Sequence, residues 1–268
     1  MPIRDDLNAL ALPKLFDRLC VTGGAGDRLD RLLDLAFEED VDGGDVTSLA
    51  CFAEPDRARA SVVLREPGVV AGLAAAGRVL ERFAPDSTLE LHAADGDRAR
   101  PGTTLATLEG PAIEVLGAER TLLNLLGRLT GIATRTAAFV DAVGESGRRP
   151  RLLDTRKMTP GWRGLEKYAV RCGGGHCHRL GLHDAMLIKD NHLAAMARRD
   201  PGRPLAELVR SAIEQAPERV SFVEVEVDTL DQFTALLPIE AIDIVLLDNM
   251  STDQLAEAVR QRDRTRPG

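Results

Sequence analysis

The chain has 268 residues, of which 44% are hydrophobic and 3% aromatic, and its formal net charge is -8. This length predicts about two domains, and the acidic balance with few aromatic residues argues against nucleic-acid binding, which needs a basic face and stacking platforms. We expect no signal peptide and no membrane span, because the N-terminus lacks a basic start and no apolar run approaches ~20 residues. The four scattered cysteines predict free thiols in the cytoplasm, and the expected partners are small molecules.

The first part of the chain has the pattern of a mixed α+β domain. Residues 1–27 form a lead-in with a weak helical pattern and a Gly-rich turn at 23–26. Apolar residues at helical spacing from Asp27 predict an amphipathic helix that ends before Gly43. Further short patterns then predict a helix at 73–83 and strands at 58–64, from Val69, at 89–91 and at 104–108.

The pattern changes at Pro111, which is a suitable first residue for a long helix. In this long helical stretch Gly131 is a candidate break, and few turn signals interrupt the stretch before Gly144. Short apolar runs then alternate with helical segments, which predicts parallel strands joined by helices. The predicted strands are 151–155, 185–188, 222–227 and 244–247.

Positive charge is concentrated between Asp154 and His192, although the whole chain is acidic. This stretch holds most of the lysines and histidines of the chain, which predicts an anion site. Polar residues also follow three of the four predicted strands, namely Arg156-Lys157, Lys189-Asp190-Asn191 and Asp248-Asn249. In α/β barrels the carboxyl ends of the strands carry the chemistry.

Gly173-Gly174-Gly175 lies between Arg171 on one side and His176, His178 and Arg179 on the other. A glycine run can expose N–H groups to an anion, and a flexible turn is the structural alternative. The cationic neighbours favour an anion cradle.

The same stretch contains Cys172, His176, Cys177 and His178, which are residue types that bind zinc. Their spacing argues against zinc, because no second Cys/His pair lies at the distance found in zinc fingers or ribbons. We expect no zinc.

Glu224 and Glu226 are two residues apart on a predicted strand and share one face. Carboxylates that face a barrel lumen are costly unless they meet cations, a metal or hydroxyl groups, whereas on an edge strand they are simply solvated. Asp248 ends the next predicted strand in a similar way, which favours a functional role. Glu119 and Arg120 lie on a mostly apolar helix, and there a core or interface helix is the simpler interpretation.

Together these stretches resemble the quinolinate phosphoribosyltransferase family, also called carboxylating nicotinate-nucleotide pyrophosphorylase. The matching motifs occur in family order and cover most of the chain. They are EDVDGGDVTS (39–48), ERTLLNLLGRLTGIAT (119–134), DTRKMTPGWRGLEKYAVRCGGGHCHRLGL (154–182), LIKDNH (187–192), VEVEV (223–227) and LLDN (246–249).

The resemblance implies an α/β fold, with an N-terminal α/β sandwich domain (28–116) followed by an α/β barrel of the type II phosphoribosyltransferase kind (117–268). It implies a homodimer or higher homo-oligomer in which the N-terminal region of one subunit closes the barrel of the other. The implied activity is phosphoribosyl transfer from phosphoribosyl pyrophosphate to quinolinate with decarboxylation, a step of NAD biosynthesis, and the implied cofactor is Mg²⁺.

The resemblance also assigns roles to individual residues. The substrate-binding set comprises Arg120, Thr155, Arg156, Lys157, His178, Arg179, Lys189, Glu226 and Asp248. The carboxylates of quinolinate are assigned to Arg156, His178 and Arg179, with Arg120 reaching in from the partner subunit. Phosphates are assigned to Lys157 and Lys189, and ribose hydroxyls with indirectly bound magnesium to Glu226 and Asp248. The expected catalytic residues are Lys157, Lys189, Glu226 and Asp248.

The chain departs from the family pattern in three places. Met158 stands where the family commonly has Thr, and Cys177 where it commonly has Asn. The sequence ends at Gly268, before the family's phosphate-loop strand and last strand, so we expect an incomplete barrel. We expect the chain either to be a truncated form of a longer product or to have little activity on its own. The alternatives are a related transferase for another aromatic acid and an inactive paralogue that binds ligand or a partner subunit.

Overall fold

The computed structural model describes residues 5–21, 28–41, 43–53, 56–144, 150–217 and 220–265. The chain divides into two compact units, Asp5–His178 and Arg179–Gly268. Within the described ranges, no helix is both long enough and apolar enough to cross a membrane.

The unit Asp5–His178 begins with short helices, and α3 confirms the predicted amphipathic helix. They are α1 Asp5–Asn8, α2 Leu12–Phe16, a π-helical turn Asp17–Val21, α3 Arg28–Val41 and α4 Val46–Cys51. Helix α3 buries Leu29 and Leu33. The predicted helix start at Asp27 and the Gly-rich turn at 23–26 lie outside the described residues.

The strands of this unit form two small antiparallel sheets, and the helix and strands predicted before Pro111 are confirmed. Their bounds are β1 Arg57–Val63, β2 Gly68–Val69, α5 Leu73–Phe83, β3 Thr88–Leu91, β4 Arg98–Ala99 and β5 Thr104–Pro111. One sheet has the order β1-β5-β3 and the other pairs β2 with β4. Helix α5 buries an apolar face against this layer and against the helix that follows β5.

That following helix, α6 Ala112–Gly144, is continuous, so the candidate break at Gly131 is wrong. Glycine in a helix costs only about 1 kcal/mol relative to alanine, and the buried Leu129 and Ala133 on either side supply packing that outweighs this cost. Pro111 pairs with Arg57 as the last residue of β5, and the helix begins one residue later than predicted. The predicted domain boundary at 116/117 lies within α6 and stays a prediction.

The predicted strand at 151–155 is wrong. Leu153 makes only an isolated parallel bridge to His176, in which Asp154 N donates to His176 O at 3.0 Å and His176 N donates to Leu152 O at 2.8 Å. The chain bends at Arg156, so the extended run does not continue. Helix α7, Arg163–Cys172, follows this loop and packs on α6.

The unit Arg179–Gly268 alternates strands and helices as predicted. Its elements are β6 Met186–Ile188, α8 Asp190–Arg199, α9 Leu205–Glu214, β7 Val223–Val227, α10 Leu230–Leu236, β8 Ile244–Leu247 and α11 Thr252–Thr265. The three strands are parallel in the order β6-β7-β8. Val225 and Val227 face an apolar core with Phe233, Leu236 and Ile242.

Candidate active site

The loop after Asp154 presents the first cluster of cationic side chains. The Thr155 hydroxyl accepts a hydrogen bond from Lys157 N at 3.0 Å, and Met158 N donates to Arg156 O at 3.0 Å, so the loop is a tight turn. Lys157 is exposed and Arg156 is half-buried. Within the described ranges the buried Arg156 Nε has no hydrogen-bond partner. The Arg156 guanidinium therefore retains a donor for an anionic ligand.

Asp154 connects this loop to His178. The Asp154 carboxylate accepts the backbone N–H of His178 at 2.9 Å and also the ammonium of Lys167 on α7. The side chains of Lys167 and Asp154 are 0% and 1% exposed. Burial raises the pKa of Asp154, while the Lys167 ammonium and the His178 N–H oppose that rise.

Asn8 on α1 holds the backbone beside His178. Its side-chain amide donates to Cys177 O at 3.1 Å, and its side-chain oxygen accepts from Cys177 N at 2.7 Å. Arg171 binds both Asn8 O at 3.1 Å and Gly175 O at 3.0 Å. Cys177, one of the two residues that differ from the family pattern, is fully buried in the unit Asp5–His178.

The interpretation of Gly173-Gly174-Gly175 as an anion cradle is wrong. All three N–H groups donate to carbonyls at the end of α7, on Ala169, Arg171 and Val170. A Cβ on Gly173 would lie 2.3 Å from Ala133 O on α6, and one on Gly175 would lie 2.6 Å from a Val170 methyl carbon. The glycines thus allow the end of α7 to pack closely and to turn, which is the structural alternative.

The Cys and His residues of this stretch have different surroundings. Burial and the nearby Asp95 raise the pKa of Cys172 to about 12, which disfavours the thiolate that zinc requires. Burial lowers the pKa of His176, and the cationic Arg171 and Arg151 lower it further. All four cysteines of the chain are free thiols, as predicted. The expectation of no zinc stays a prediction.

Arg120 lies on α6, away from the loop at 155–158 in sequence, and lines a cleft of about 380 Å³. Its side chain is 67% exposed and lies 3.8 Å from the carboxylate of Glu119. The other walls come from α3 and from residues beside Arg120, and Trp162 at the start of α7 completes the lining. The long cationic side chain of Arg120 is therefore accessible at the cleft.

In the unit Arg179–Gly268 the carboxyl ends of the three parallel strands bring Lys189, Glu226 and Asp248 to one edge of the sheet. Lys189 Nζ donates to the Glu226 carboxylate at 2.8 Å, with side chains that are 41% and 10% exposed. Asp248 N continues the strand ladder by donating to Val227 O at 3.0 Å, and its carboxylate accepts from Asn249 at 2.8 Å.

Glu224 and Glu226 share one face of β7, as predicted, and the structure places this face opposite the apolar core. The two residues as a whole are 4% and 7% exposed. Lys189 offsets the burial cost of Glu226. Lys189 directly precedes helix α8. The positive end of the helix dipole also favours an anion beside Lys189.

Arg179 begins this unit and is 8% exposed. The segment after it is fixed by Asp184, whose carboxylate accepts from Leu180 N at 2.6 Å and whose carbonyl accepts from Ser221 N at 2.8 Å. Asp184 therefore ties the backbone directly after Arg179 to the segment that precedes β7.

Domain-level comparison identifies the family. A sequence model of the N-terminal domain of quinolinate phosphoribosyl transferase matches residues 45–130, and one of the C-terminal domain matches residues 132–268. The chain belongs to the quinolinate phosphoribosyltransferase family. The resemblance seen in the sequence motifs is thereby confirmed.

Individual members of this family are similar over most of the chain. The nicotinate-nucleotide pyrophosphorylase [carboxylating] of Mycobacterium leprae is 42% identical over 92% of this chain and 83% of its own length. A probable enzyme of the same name from Bacillus subtilis is 38% identical over 84% and 74%. Among solved structures, NadC from Streptococcus pyogenes has a TM-score of 0.81 at 37% identity, covering 89% of this chain and 81% of its own. The predicted fold class, an N-terminal domain followed by an α/β barrel-like domain, is confirmed.

Several residues that support the predicted site were not singled out in the sequence. They are Asn8, Arg128, Asp154 and Glu166, whereas Lys167 was counted among the clustered cations but not as a support of the site. Asn8 lies 169 residues from its partner, so no local pattern reveals the contact. Glu166 and Lys167 lie between Leu165 and Tyr168 on an amphipathic helix. Charged residues of such a helix normally face solvent, so their burial was not expected. Whether the predicted site residues bind substrate stays a prediction.

Proposed function

We propose that the chain catalyses transfer of a phosphoribosyl group from phosphoribosyl pyrophosphate to quinolinate, with release of pyrophosphate and carbon dioxide, in NAD biosynthesis. The relatives named above carry this activity in their names. The observation that supports it most directly is the ordered cationic loop, because a dicarboxylate and a polyphosphate both require several fixed cations. Among the described residues the buried Arg156 Nε has no hydrogen-bond partner, so it can donate to such an anion.

In this proposal Arg156, His178 and Arg179 bind the two carboxylates of quinolinate. Arg suits this role because its planar guanidinium forms two parallel hydrogen bonds with a carboxylate. His178 and Arg179 are consecutive residues, and Asp154 holds the His178 backbone. Thr155 fixes the turn through its bond to Lys157 N, which places the Lys157 ammonium in solvent for a phosphate.

Lys189, Glu226 and Asp248 act on the sugar side. As pyrophosphate leaves, the ribose gathers positive charge, which the carboxylates of Glu226 and Asp248 stabilise. Lys189 already neutralises Glu226 at 2.8 Å and can also bind a phosphate oxygen, because an ammonium has three donors. The pyridine nitrogen then bonds to C1 of the ribose without a covalent enzyme intermediate.

Magnesium is the proposed cofactor. The donor set fits it, since Glu226 and Asp248 offer hard carboxylate oxygens, the ligands that Mg²⁺ prefers, and these two residues would hold the ion. Both carboxylates are partly engaged, by Lys189 and by Asn249, which favours contact through water. When bound, the ion offsets negative charge on the departing pyrophosphate.

Decarboxylation follows from the charge of the product. The new glycosidic bond makes the ring nitrogen quaternary and cationic, next to the carbon that bears the 2-carboxylate. The C–C bond to this carboxylate breaks, carbon dioxide leaves, and the electron pair that remains on the ring is stabilised by the adjacent cation before it takes up a proton.

The proposed assembly is a homodimer or a higher homo-oligomer in the cytoplasm. The free thiols suit a reducing compartment. The exposed Arg120 at the mouth of its cleft supports a role in a neighbouring subunit's site.

The deciding experiment incubates the purified chain with phosphoribosyl pyrophosphate, Mg²⁺ and quinolinate, and follows nicotinate mononucleotide and carbon dioxide together. Nicotinate replaces quinolinate in the control, because it lacks the 2-carboxylate that must leave. The expected result is equal release of both products with quinolinate alone, at any rate above that of the reaction without enzyme. Absence of nucleotide, or a faster reaction with another aromatic acid, would contradict the proposal.

A further inference from the structure

Two consecutive charged residues of α7, Glu166 and Lys167, are buried at 5% and 0% exposure. Burying a charge is costly unless it is paired and hydrogen-bonded, so the partners of these residues are informative. Each has a partner at one end of the loop that carries Arg156 and Lys157, namely Asp154 for Lys167 and Thr159 for Glu166.

Lys167 holds the entry of the loop. Its ammonium binds the carboxylate of Asp154, the residue directly before Thr155. The same carboxylate oxygen accepts His178 N at 2.9 Å, so one contact ties the loop entry to the backbone of a second predicted ligand residue.

Glu166 holds the exit of the loop together with Arg128 from α6. The Glu166 carboxylate accepts Thr159 N at 3.2 Å and Arg128 Nε at 2.9 Å. Arg128 Nη2 donates to the same carboxylate and to the Thr159 hydroxyl. The Arg128 guanidinium carbon also lies 5.6 Å from the centre of the Trp162 ring. Thr159 is thereby fixed through its backbone and its side chain.

Only four residues, Thr155 to Met158, separate the two anchors. Adjacent Cα atoms are about 3.8 Å apart, so a segment this short with both ends fixed has few conformations. We propose that Glu166, with Arg128, is a positioning residue that holds the 155–158 loop in its anion-binding conformation. This inference rests on the proposed function, and it assigns to Glu166 no contact with the substrate.

The charge of Glu166 is essential to this role. Its two oxygens accept donors from Arg128 and from Thr159, whereas a glutamine amide has one oxygen and would turn its NH₂ toward one of those donors. The loop in a Glu166→Gln chain should therefore be in the competent conformation for a smaller fraction of the time. Apparent affinity falls in proportion to that fraction, so a competent fraction of one tenth raises KM about 10-fold.

The test compares Glu166→Gln with Asp141→Asn, which removes the charge of an exposed carboxylate paired with Arg98 in the same unit. Two quantities are measured, namely KM and kcat for both substrates, and the rate of tryptic cleavage after Arg156 or Lys157 as followed by mass spectrometry. The expected result for Glu166→Gln is about 10-fold higher KM, kcat within about 3-fold and about 10-fold faster loop cleavage. Asp141→Asn should change neither quantity.

Unchanged loop cleavage in a folded Glu166→Gln chain would overturn the inference, as would a fall in kcat with KM unchanged. If Glu166→Gln does not fold, Arg128→Lys serves instead, because the Arg128 side chain is 44% exposed and a lysine cannot hold Glu166 and Thr159 together. If the wild-type chain shows no turnover, the proposed function is wrong. Cleavage of the loop then decides the positioning role alone.

Discussion

Replacing Lys167 by methionine tests how much the buried pair with Asp154 contributes to stability. Removing one partner of a buried ion pair costs about 3–5 kcal/mol, because the remaining charge is left uncompensated. Both side chains are almost fully buried. Asp154 would keep its bond from His178 N, so the lower end, about 3 kcal/mol, is expected. For a chain of this size that corresponds to a fall in Tm of about 6–12 °C.

The assay is thermal unfolding of Lys167→Met, Asp154→Asn and the double variant, with Arg98→Met as control. Asparagine still accepts the His178 N–H but carries no charge, so the double variant should be more stable than the sum of the single changes predicts, by about 1 kcal/mol or more. Arg98 belongs to an ion pair whose side chains are 64% and 51% exposed, and its loss should shift Tm far less.

The loss of stability in the Lys167→Met variant should also depend on pH. Burial raises the pKa of Asp154 and Lys167 opposes that rise, so the variant has the higher folded-state pKa. A raised carboxyl pKa favours the protonated folded form, so stability is lost as pH rises from the usual aspartate range through the raised value. The deficit should therefore be smaller at acid pH than at pH 8. A Tm within about 2 °C of wild type at pH 8, or a double variant no better than additive, would refute the reasoning.

The remaining predictions concern ligand binding, assembly and thiol reactivity. Arg179→Ala should weaken quinolinate binding about 10- to 100-fold and phosphoribosyl pyrophosphate binding far less, and equal losses in calorimetric titrations would contradict its assignment. Mixing Arg120→Ala chains with Lys189→Ala chains should restore part of the activity through hybrid oligomers that keep one intact site, and no recovery after verified subunit exchange would exclude action across subunits. At pH 8 a maleimide should label the exposed Cys51 and not the buried Cys172, because the pKa of the Cys172 thiol is raised to about 12. Mass spectrometry of the folded chain measures the labelling, and label on both residues would show that Cys172 is accessible as a thiolate.

The strand–helix pattern of the unit Arg179–Gly268 could be predicted from the sequence because each strand is a short apolar run with a polar residue after it. In β7 the alternation of Glu with Val also predicted that Glu224 and Glu226 share one face, and the structure shows that the valines on the other face pack in the core. The parallel register then brings Lys189 and Glu226 together, because the residues before them, Ile188 and Val225, are paired. Local pattern and sheet geometry agree here, so the prediction succeeded.

The same reasoning failed where a feature depends on packing between distant elements. The run at 151–155 looks like a strand, yet only Leu153 is bridged. Gly131 looks like a helix break, but the packing of α6 keeps the helix continuous. The glycine run 173–175 looks like an anion site, although its N–H groups end a helix. A glycine shows that the backbone has freedom or needs room, and only the neighbours show which use is made of it.

Lys157 and Lys167 show why residue type alone could not sort the cations of the site. They lie ten residues apart in the same motif, and both were counted as evidence for an anion site. Lys167 is fully buried on the carboxylate of Asp154, so its charge is already neutralised and cannot attract a ligand strongly. Lys157 is exposed and forms no ion pair within the described ranges, so its charge is available to a phosphate. The partner of each cation, rather than its presence, therefore separates the residues that build the site from those proposed to bind substrate.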